Sequence, residues 1–330
     1  MINQASPLAH RIIQPGVTAE EVRLERERLL QMFNLRPITT FHSAQVTGGL
    51  KDVVACETRD GTTVILRLGE RRPNWFFTDG FVGKTLRIPR QFHAGGDRVP
   101  YEIEEHVTGP KICDVEHDWN KRGQISPVMQ DRLIAVFWEF QSLASPLPLE
   151  QLFYIDRLQT FFHEAGDLVP PEAGELIKKY TSFWNGSFPA KWKFATDNLI
   201  VDENDKVVFI DNVKIGTRYF GYDLGWLIWP RWVEMDTSAF TDIDGQVRYL
   251  DTFKQKLVAS IPPNIHLPQN IDQAFDLMLF ERLIASLFDV QRQARHFTNS
   301  GMMGDAGLER RMAHTVFVQN LLTIVMKRLS

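Results

Sequence analysis

The chain has 330 residues, of which 44% are hydrophobic and 24% are charged, and its formal net charge is −4. This composition is that of a soluble globular protein, and the length allows one large domain or two lobes. The charge balance lacks the general excess of basic residues that binding to a phosphate backbone exploits, so no nucleic acid is expected as a partner.

The cysteine content and the apolar runs predict where the protein resides. Only two cysteines are present, Cys56 and Cys113, which excludes a disulfide framework, favours a reducing compartment and leaves a single bridge formally open. Residues 1–14 have no basic region leading into a long apolar stretch, and the densest later run, 224–230, is too short to cross a bilayer. We therefore expect a cytoplasmic protein without a membrane partner.

Common motifs of metal sites, nucleotide sites and hydrolases are absent from the sequence. The nine histidines are scattered and do not pair with cysteines or carboxylates at the spacing of a metal cage. The phosphate loop G-x-x-x-x-G-K-[ST], the nucleophile elbow G-x-S-x-G and the dinucleotide motif G-x-G-x-x-G do not occur either. A functional site must therefore be recognised from subtler spacing.

The first predicted element is a helix that begins near Thr18. Thr18 and Glu21 have the spacing of a capping box, in which two side chains satisfy backbone N–H groups at the helix start. Apolar residues then recur at helical spacing until Pro37, which cannot continue a helix. We assign residues 1–40 to an N-terminal helical extension.

The segment 41–110 has a β pattern. Two apolar runs, 53–56 and 63–66, flank a polar turn that contains glycine, and they predict a β-hairpin. Residues 73–100 are rich in proline, glycine and aromatic residues and receive no assignment, and a short strand is predicted at 101–107. This segment is expected to form a β-rich N-lobe.

The segment 111–330 is expected to form a helical C-lobe, interrupted by one hairpin at 199–210. Apolar residues at helical spacing define its helices. The predicted helical stretches are 133–143, 176–184, 221–229, 243–260, 271–297 and 307–328.

The hairpin at 199–210 brings two oxygen-bearing side chains to the same end. Asn198 directly precedes one strand and Asp211 directly follows the other. An amide oxygen and a carboxylate suit magnesium, which commonly takes one or two protein side chains together with water and substrate phosphates. The same residue types are also common turn residues, so the metal site depends on the wider pattern.

The sequence around this hairpin resembles a known family. The stretch N-L-I-V-D-E-N-D-K-V-V-F-I-D, followed by G-Y-D-L-G-W-L, is similar to the catalytic and metal-binding region of the aminoglycoside phosphotransferase and choline kinase family. That family shares the protein-kinase fold and normally reads H-G-D-x-x-x-x-N, a hydrophobic hairpin, I-D and a Y-D-L-A-like helix start. The resemblance implies an α+β, two-lobed, protein-kinase-like fold with a small β-rich N-lobe and a larger α-helical C-lobe.

The resemblance also assigns roles near the hairpin. Asn198 and Asp211 would be magnesium ligands, and Asp223 would be a buried aspartate that braces the catalytic loop. The cofactors implied are ATP or another nucleotide and magnesium.

Further roles follow from the stretch G-G-L-K-D-V-V-A-C-E-T-R-D-G-T-T-V-I-L-R-L, which resembles the glycine-containing hairpin of the family. Gly48 and Gly49 would lie above the phosphates. Arg67 would replace the usual phosphate-contacting lysine, and its guanidinium keeps the positive charge. Backbone groups of the segment from Glu105 to Val107 would receive an adenine edge. The sequence gives Arg67 no clear glutamate partner.

Lys193 departs from the family pattern. Aligned on Asn198, the residues Lys191, Trp192 and Lys193 stand over H-G-D, so a lysine replaces the aspartate that orients and deprotonates the acceptor. A protonated lysine cannot act as this base. Lys193 would instead pair with Asp211 or touch the terminal phosphate, and Lys191 and Lys193 equally fit a solvated charge pair at a strand edge.

Three hypotheses about function follow from these residues. The first is a divergent, pseudokinase-like member of the family that binds a magnesium nucleotide, with weak, altered or absent phosphoryl transfer. The second is an active ATP-dependent kinase for a small hydroxyl or amine compound. The third is an unrelated α-rich scaffold whose motifs coincide by chance. In the first two, the further partner is an unidentified small molecule or protein.

Overall fold

The computed structural model describes residues 11–43, 50–72, 82–147, 149, 155–191, 194–211, 215–265, 267, 270–300 and 305–330. The elements of this part of the chain are numbered here in chain order. The strands are β1 (Arg11–Ile12), β2 (Arg36–His42), β3 (Asp52–Glu57), β4 (Thr63–Leu68), β5 (Glu70–Arg71), β6 (Leu86–Arg87), β7 (Gln91–Gly95), β8 (Tyr101–Glu105), β9 (Phe188–Lys191), β10 (Leu199–Val201), β11 (Val207–Phe209) and β12 (Ile215–Arg218).

The helices follow the same numbering. They are α1 (Ala19–Met32), α2 (Ile112–Val115), α3 (His117–Asn120), α4 (Pro127–Ala144), α5 (Ile155–Ala165), α6 (Glu172–Lys179), α7 (Thr181–Trp184), α8 (Tyr222–Glu234), α9 (Ile243–Ala259), α10 (Ile271–Ser300) and α11 (Asp305–Leu329). Short 3-10 turns lie at Gly166–Leu168, Thr196–Asn198 and Thr237–Thr241.

The chain divides into two compact units. The first contains Met1–Pro110 together with Leu199–Ile215, and the second contains Lys111–Asn198 together with Gly216–Ser330. The hairpin formed by β10 and β11 therefore belongs to the first, β-rich unit, although it lies between helical segments in the sequence.

A five-stranded antiparallel sheet with the order β2-β3-β4-β8-β7 forms the body of the β-rich unit. The predicted hairpin is confirmed as β3 and β4, in which Val54 lies opposite Leu66, and Leu66 lies opposite Ile103 of β8. These three residues are buried on one face of the sheet together with Val22 and Leu29 of α1. Because side chains alternate along a strand, the other face receives the residues between them.

Helix α1 begins as the sequence predicts. The Glu21 N–H donates to Thr18 Oγ1 at 3.2 Å, and the Thr18 N–H donates to Glu21 Oε2 at 2.8 Å. This reciprocal capping box satisfies two backbone donors at the helix start and fixes where the helix begins. The amphipathic helix can then cover the apolar face of the sheet.

A second, three-stranded sheet in the β-rich unit has the order β10-β11-β6. The predicted hairpin is present as antiparallel β10 and β11, and β6 pairs with β11 in parallel. Val107, Ile200 and Val208 form a small apolar cluster here, with Ile210 packed against it. The cluster joins the segment after β8 to the hairpin.

The helical unit has its core around α10, which packs against α5, α8 and α11. The predicted amphipathic stretches are present as α9, α10 and α11. The predicted stripe at 176–184 is divided into α6 and α7, because Tyr180 leaves the helical conformation at φ −106° and ψ 29°. Its hydroxyl donates to the Leu329 carbonyl at 2.8 Å.

Within the described ranges, no helix combines the length and the apolar character needed to span a bilayer. The two cysteines are free thiols, so the single bridge that the sequence left open does not form.

Candidate functional site

Arg67 lies on the face of the large sheet opposite the α1 core, where it contacts three carboxylates. Its Nη2 donates to Glu104 Oε1 at 3.1 Å, and its Nε lies 3.5 Å from Glu102 Oε1. Its Nη1 lies 3.5 Å from Asp211 Oδ1. The two glutamates belong to β8, in which Glu102 is directly opposite Arg67. Cross-strand neighbours on one face of a sheet are close enough for such pairs.

The pairing of Arg67 keeps its guanidinium charged in a buried place. Burial alone would lower the pKa of Arg67, but Glu104, Glu102 and Asp211 together raise it. Burial raises the pKa of Glu104, and Arg72 and Arg67 act against this rise. Two guanidiniums therefore face three carboxylates, which leaves the cluster with a formal excess of one negative charge.

Asp211 is the most exposed member of this cluster, with 27% of its side chain accessible. It follows β11 and has a positive φ of 55°, in the left-handed region. This conformation is uncommon outside glycine, and aspartate and asparagine tolerate it best because their short polar side chains bond locally. Backbone strain of this kind concentrates at functional sites, so the backbone conformation of Asp211, as well as its charge, makes it a candidate functional residue.

The donor set at Asp211 suits magnesium better than a transition metal. No group of three or more histidine, cysteine, aspartate or glutamate side chains forms a metal cage in the described part of the chain. Magnesium needs only one or two protein oxygens when phosphates and water complete its shell. A partly exposed carboxylate beside a guanidinium therefore fits a metal ion that arrives with a nucleotide.

Asn198, the second predicted magnesium ligand, ends a 3-10 turn in the helical unit. Its N–H donates to the Ala195 carbonyl at 2.9 Å, and its side chain is partly buried. The neighbouring Asp197 is exposed.

Asp223 is buried in the first turn of α8, as predicted. Its Oδ2 accepts a hydrogen bond from the backbone N–H of Lys191 at 2.8 Å. Burial raises the pKa of Asp223 to about 8, while the Lys191 N–H, the Lys191 ammonium and Arg218 act to lower it. The carboxyl therefore ties the end of β9 to the start of α8.

The alternative that Lys191 and Lys193 form a solvated charge pair is wrong for Lys191. Lys191 is the last residue of β9 and is completely buried, with 0% of its surface accessible. The buried Lys191 ammonium interacts electrostatically with Asp223 and acts to lower the pKa of that carboxyl.

Glu105 ends β8, and an ion-pair network fixes its side chain. Arg87 Nη1 and Nη2 donate to the two Glu105 carboxylate oxygens at 2.8 Å and 2.9 Å, and Arg87 Nε donates to Asp202 Oδ2 at 2.7 Å. The Glu105 N–H donates to the Arg90 carbonyl at 2.8 Å, so this group is not available to an adenine edge. Val107 lies beyond the strand end with its side chain buried.

The fold of the chain is similar to that of two solved structures. One is the amicoumacin kinase hAmiN in complex with AMP-PNP, Ca2+ and Ami, with a TM-score of 0.56 and 12% sequence identity over 91% of this chain and 96% of that chain. The other is a thermostable mutant of the aminoglycoside phosphotransferase APH(4)-Ia, in ternary complex with ADP and hygromycin B. It has a TM-score of 0.51 and 12% identity over 89% of this chain and 97% of that chain. The chain has this kinase-like phosphotransferase fold.

No protein-family model matches the sequence, and no curated protein sequence matches it. The kinase-like phosphotransferase fold confirms the predicted α+β class with a small β-rich lobe and a helical lobe. It also shows that the hypothesis of an unrelated α-rich scaffold is wrong.

Three residues assigned from the sequence lie outside the described residues. They are Gly48 and Gly49, expected above the phosphates, and Lys193, at the position of the base.

The sequence interpretation missed the carboxylates that hold Arg67 in the kinase-like phosphotransferase fold. Glu102 and Glu104 are separated by one residue in a predicted strand, so they share a face. That alternation was a usable signal. The missing information was that β8 is the neighbour of β4, which makes Glu102 the direct partner of Arg67.

Proposed function

We propose that the chain binds a magnesium nucleotide, with Arg67 contacting the phosphates and with Asp211 and Asn198 as ligands of the metal ion. The main support is the 3.5 Å contact between Arg67 Nη1 and Asp211 Oδ1. It brings together, within one unit, the cation suited to phosphate and the carboxylate suited to magnesium. Magnesium, when bound, would neutralise charge on the phosphoryl groups.

The remaining nucleotide contacts follow the same proposal. Gly48 and Gly49 would lie above the phosphates, and the backbone around Glu105 and Val107 would receive the adenine edge. Because the Glu105 N–H is already bonded to the Arg90 carbonyl, donation to the adenine would come from the N–H of His106 or Val107.

Phosphoryl transfer is proposed to be weak, altered or absent, because Lys193 stands where the family has its aspartate. A lysine cannot take the proton of an acceptor hydroxyl while it is protonated. Positioning and electrostatic stabilisation supply much of the rate of phosphoryl transfer, so the loss of the base lowers the rate without removing every contribution.

An active kinase for a small hydroxyl or amine compound is the second candidate function. Support comes from the names of the two similar structures, which are a kinase and a phosphotransferase bound to Ami and to hygromycin B. In this case the acceptor would be activated without the residue at position 193.

Nucleotide binding is tested by thermal stabilisation with ATP, with and without magnesium. A ligand at one hundred times its Kd stabilises the native state by about 2.7 kcal/mol, which is easily resolved. Asp211→Asn keeps a residue suited to the left-handed backbone and should remove the part of the shift that depends on magnesium. Arg67→Met should weaken the shift with ATP, whereas Arg36→Met, which removes an exposed pair with Glu57, should not. The absence of any shift for the wild-type protein at millimolar ATP would refute the proposal.

The two candidate functions differ in turnover. ADP release is measured for the wild-type protein and for Lys193→Asp with a panel of small hydroxyl and amine compounds. A divergent binder should show little ADP release, and Lys193→Asp should increase it. If the protein is an active kinase, the wild-type protein should release ADP, and Asn198→Ala and Asp211→Asn should each abolish this release. Lys193→Asp should then not increase the rate of ADP release.

A further inference from the structure

The side chain of Arg72 is completely buried beside the two glutamates that hold Arg67, with 0% of its surface accessible. Arg72 Nε donates to Glu102 Oε2 at 3.1 Å, and Nη1 donates to the Pro89 carbonyl at 3.2 Å. Arg72 Nη2 lies 2.7 Å from Glu104 Oε2 as an ion pair that is not aligned for a hydrogen bond. Arg72 is not among the residues proposed to contact the nucleotide or its metal ion.

The two glutamates bridge the two arginines through different oxygens. Glu104 uses Oε1 for Arg67 and Oε2 for Arg72. Glu102 likewise uses Oε1 for Arg67 and Oε2 for Arg72. Each carboxylate is therefore held from behind by Arg72 and presents its other oxygen to Arg67.

This arrangement makes the position of Arg67 depend on Arg72. Glu102 and Glu104 are almost completely buried, and among the described residues Arg67 would be the one cation paired with them if Arg72 were removed. Two buried carboxylates with one counter-charge repel one another and move apart or take up a proton. Either outcome would change the contacts that fix the Arg67 guanidinium.

We propose that Arg72 is a positioning residue, which acts through Glu102 and Glu104 to hold the Arg67 guanidinium in the place where it meets the nucleotide phosphates. The inference rests on the proposed function of Arg67. The contact of Arg67 with the partly exposed Asp211 is the one that a phosphate and its metal ion replace. The buried contacts with the two glutamates persist and set the direction of the guanidinium.

The test compares the affinities for ATP and for adenosine in the presence of magnesium, measured by calorimetry. Both ligands use the adenine contacts, but only ATP uses Arg67, so the ratio of the two affinities reports on phosphate recognition alone. Arg72→Met should lower this ratio by about tenfold, the loss expected when one charge-assisted hydrogen bond is misaligned, with little change for adenosine. Glu104→Gln should act in the same direction.

Arg72→Lys keeps the buried positive charge but loses the two-pronged guanidinium that reaches both glutamates. It provides a second variant for the same test if Arg72→Met does not fold. Its ratio should fall by about threefold or more. Arg26→Met is the matched control, because it removes an arginine that pairs with the buried Asp52 at 3.1 Å in the same unit. This control should keep the wild-type ratio.

Three results would overturn the inference. Arg72 variants that keep the wild-type ratio would show that Arg67 does not depend on Arg72. Variants that lose ATP and adenosine binding in equal proportion would show that Arg72 only supports the fold. A wild-type protein that does not prefer ATP to adenosine would refute the proposed function itself, and the inference with it.

Discussion

Arg87 should stabilise the attachment of the β10–β11 hairpin within the β-rich unit by about 2 to 3 kcal/mol. Removal of one partner from a buried ion pair costs about 3 to 5 kcal/mol. The expected cost lies at or below the lower end of that range, because the Arg87 and Glu105 side chains are 19% and 31% accessible and water therefore screens this ion pair. Asp202 is only 3% accessible but keeps two backbone N–H donors, from Asn204 and Lys206, after Arg87 is removed.

Native-state hydrogen exchange of the β11 amides provides the assay, because β6 and β11 are directly paired. Arg87→Met should accelerate exchange of these amides by about 30- to 160-fold, since each 1.36 kcal/mol corresponds to a factor of ten. Arg36→Met is the control, because it removes an exposed ion pair of the same unit. Equal exchange in the two variants would refute the conclusion that the Arg87 network secures the hairpin.

The pH dependence gives a second check on the same network. Burial alone would raise the pKa of Asp202, but Arg87 and the N–H groups of Lys206 and Asn204 together lower it below its ordinary 3.8. A lowered carboxyl pKa contributes stability that is present above the unfolded value and is lost as the pH falls through the folded value. The difference between the wild-type protein and Arg87→Met should therefore shrink in acid below about pH 4.

Three further predictions concern Asp223, Gly109 and Cys56. Burial raises the pKa of Asp223 from 3.8 to about 8, so the carboxyl binds its proton more tightly in the native state than in the unfolded state. The contribution of Asp223 to the free energy of unfolding therefore falls as the pH rises between these two values. The variant Asp223→Asn should have a flatter curve of unfolding free energy against pH, and a curve as steep as that of the wild type would contradict the assignment. Gly109→Ala should cost about 2 to 3 kcal/mol in urea unfolding, because φ is +142° and a Cβ would lie 2.1 Å from a carbonyl oxygen of β10. Gly16→Ala, which meets nothing within 4 Å, should cost only about 1 kcal/mol. Burial raises the pKa of the Cys56 thiol to about 11, so mass spectrometry after alkylation of the native protein should find Cys113 modified and Cys56 unmodified.

Elements that depend on local patterns could be predicted from the sequence. The capping box of Thr18 and Glu21, the alternation that gives β3 and β4, and the helical periodicity of α9, α10 and α11 are all determined by residues close in the chain. The fold was implied by the resemblance of the β3–β4 segment, and of the spacing of Asn198, Asp211 and Asp223, to the aminoglycoside phosphotransferase and choline kinase family.

Features that depend on long-range pairing could not be predicted. The contact of Arg67 with Glu104 requires β4 and β8 to be neighbours, although 37 positions separate the two residues. Proline, glycine and aromatic residues in 73–100 show no period, so the parallel pairing of β6 with β11 had no local signal. A solvated position for Lys191 was one of the alternatives that the sequence left open, because lysine is usually exposed, and its burial beside Asp223 brings together residues 32 positions apart.

The two-residue strand β6 also has a protective effect. Together β10 and β11 would make a hairpin whose free side exposes unpaired backbone groups, and such an edge invites strands of other molecules to add on. Because β6 occupies that side of β11, and the Val207 N–H donates to the Thr85 carbonyl at 2.8 Å, backbone groups on this side of β11 are already paired within the same chain. A truncation that removed Thr85 to Arg87 would therefore be expected to promote self-association.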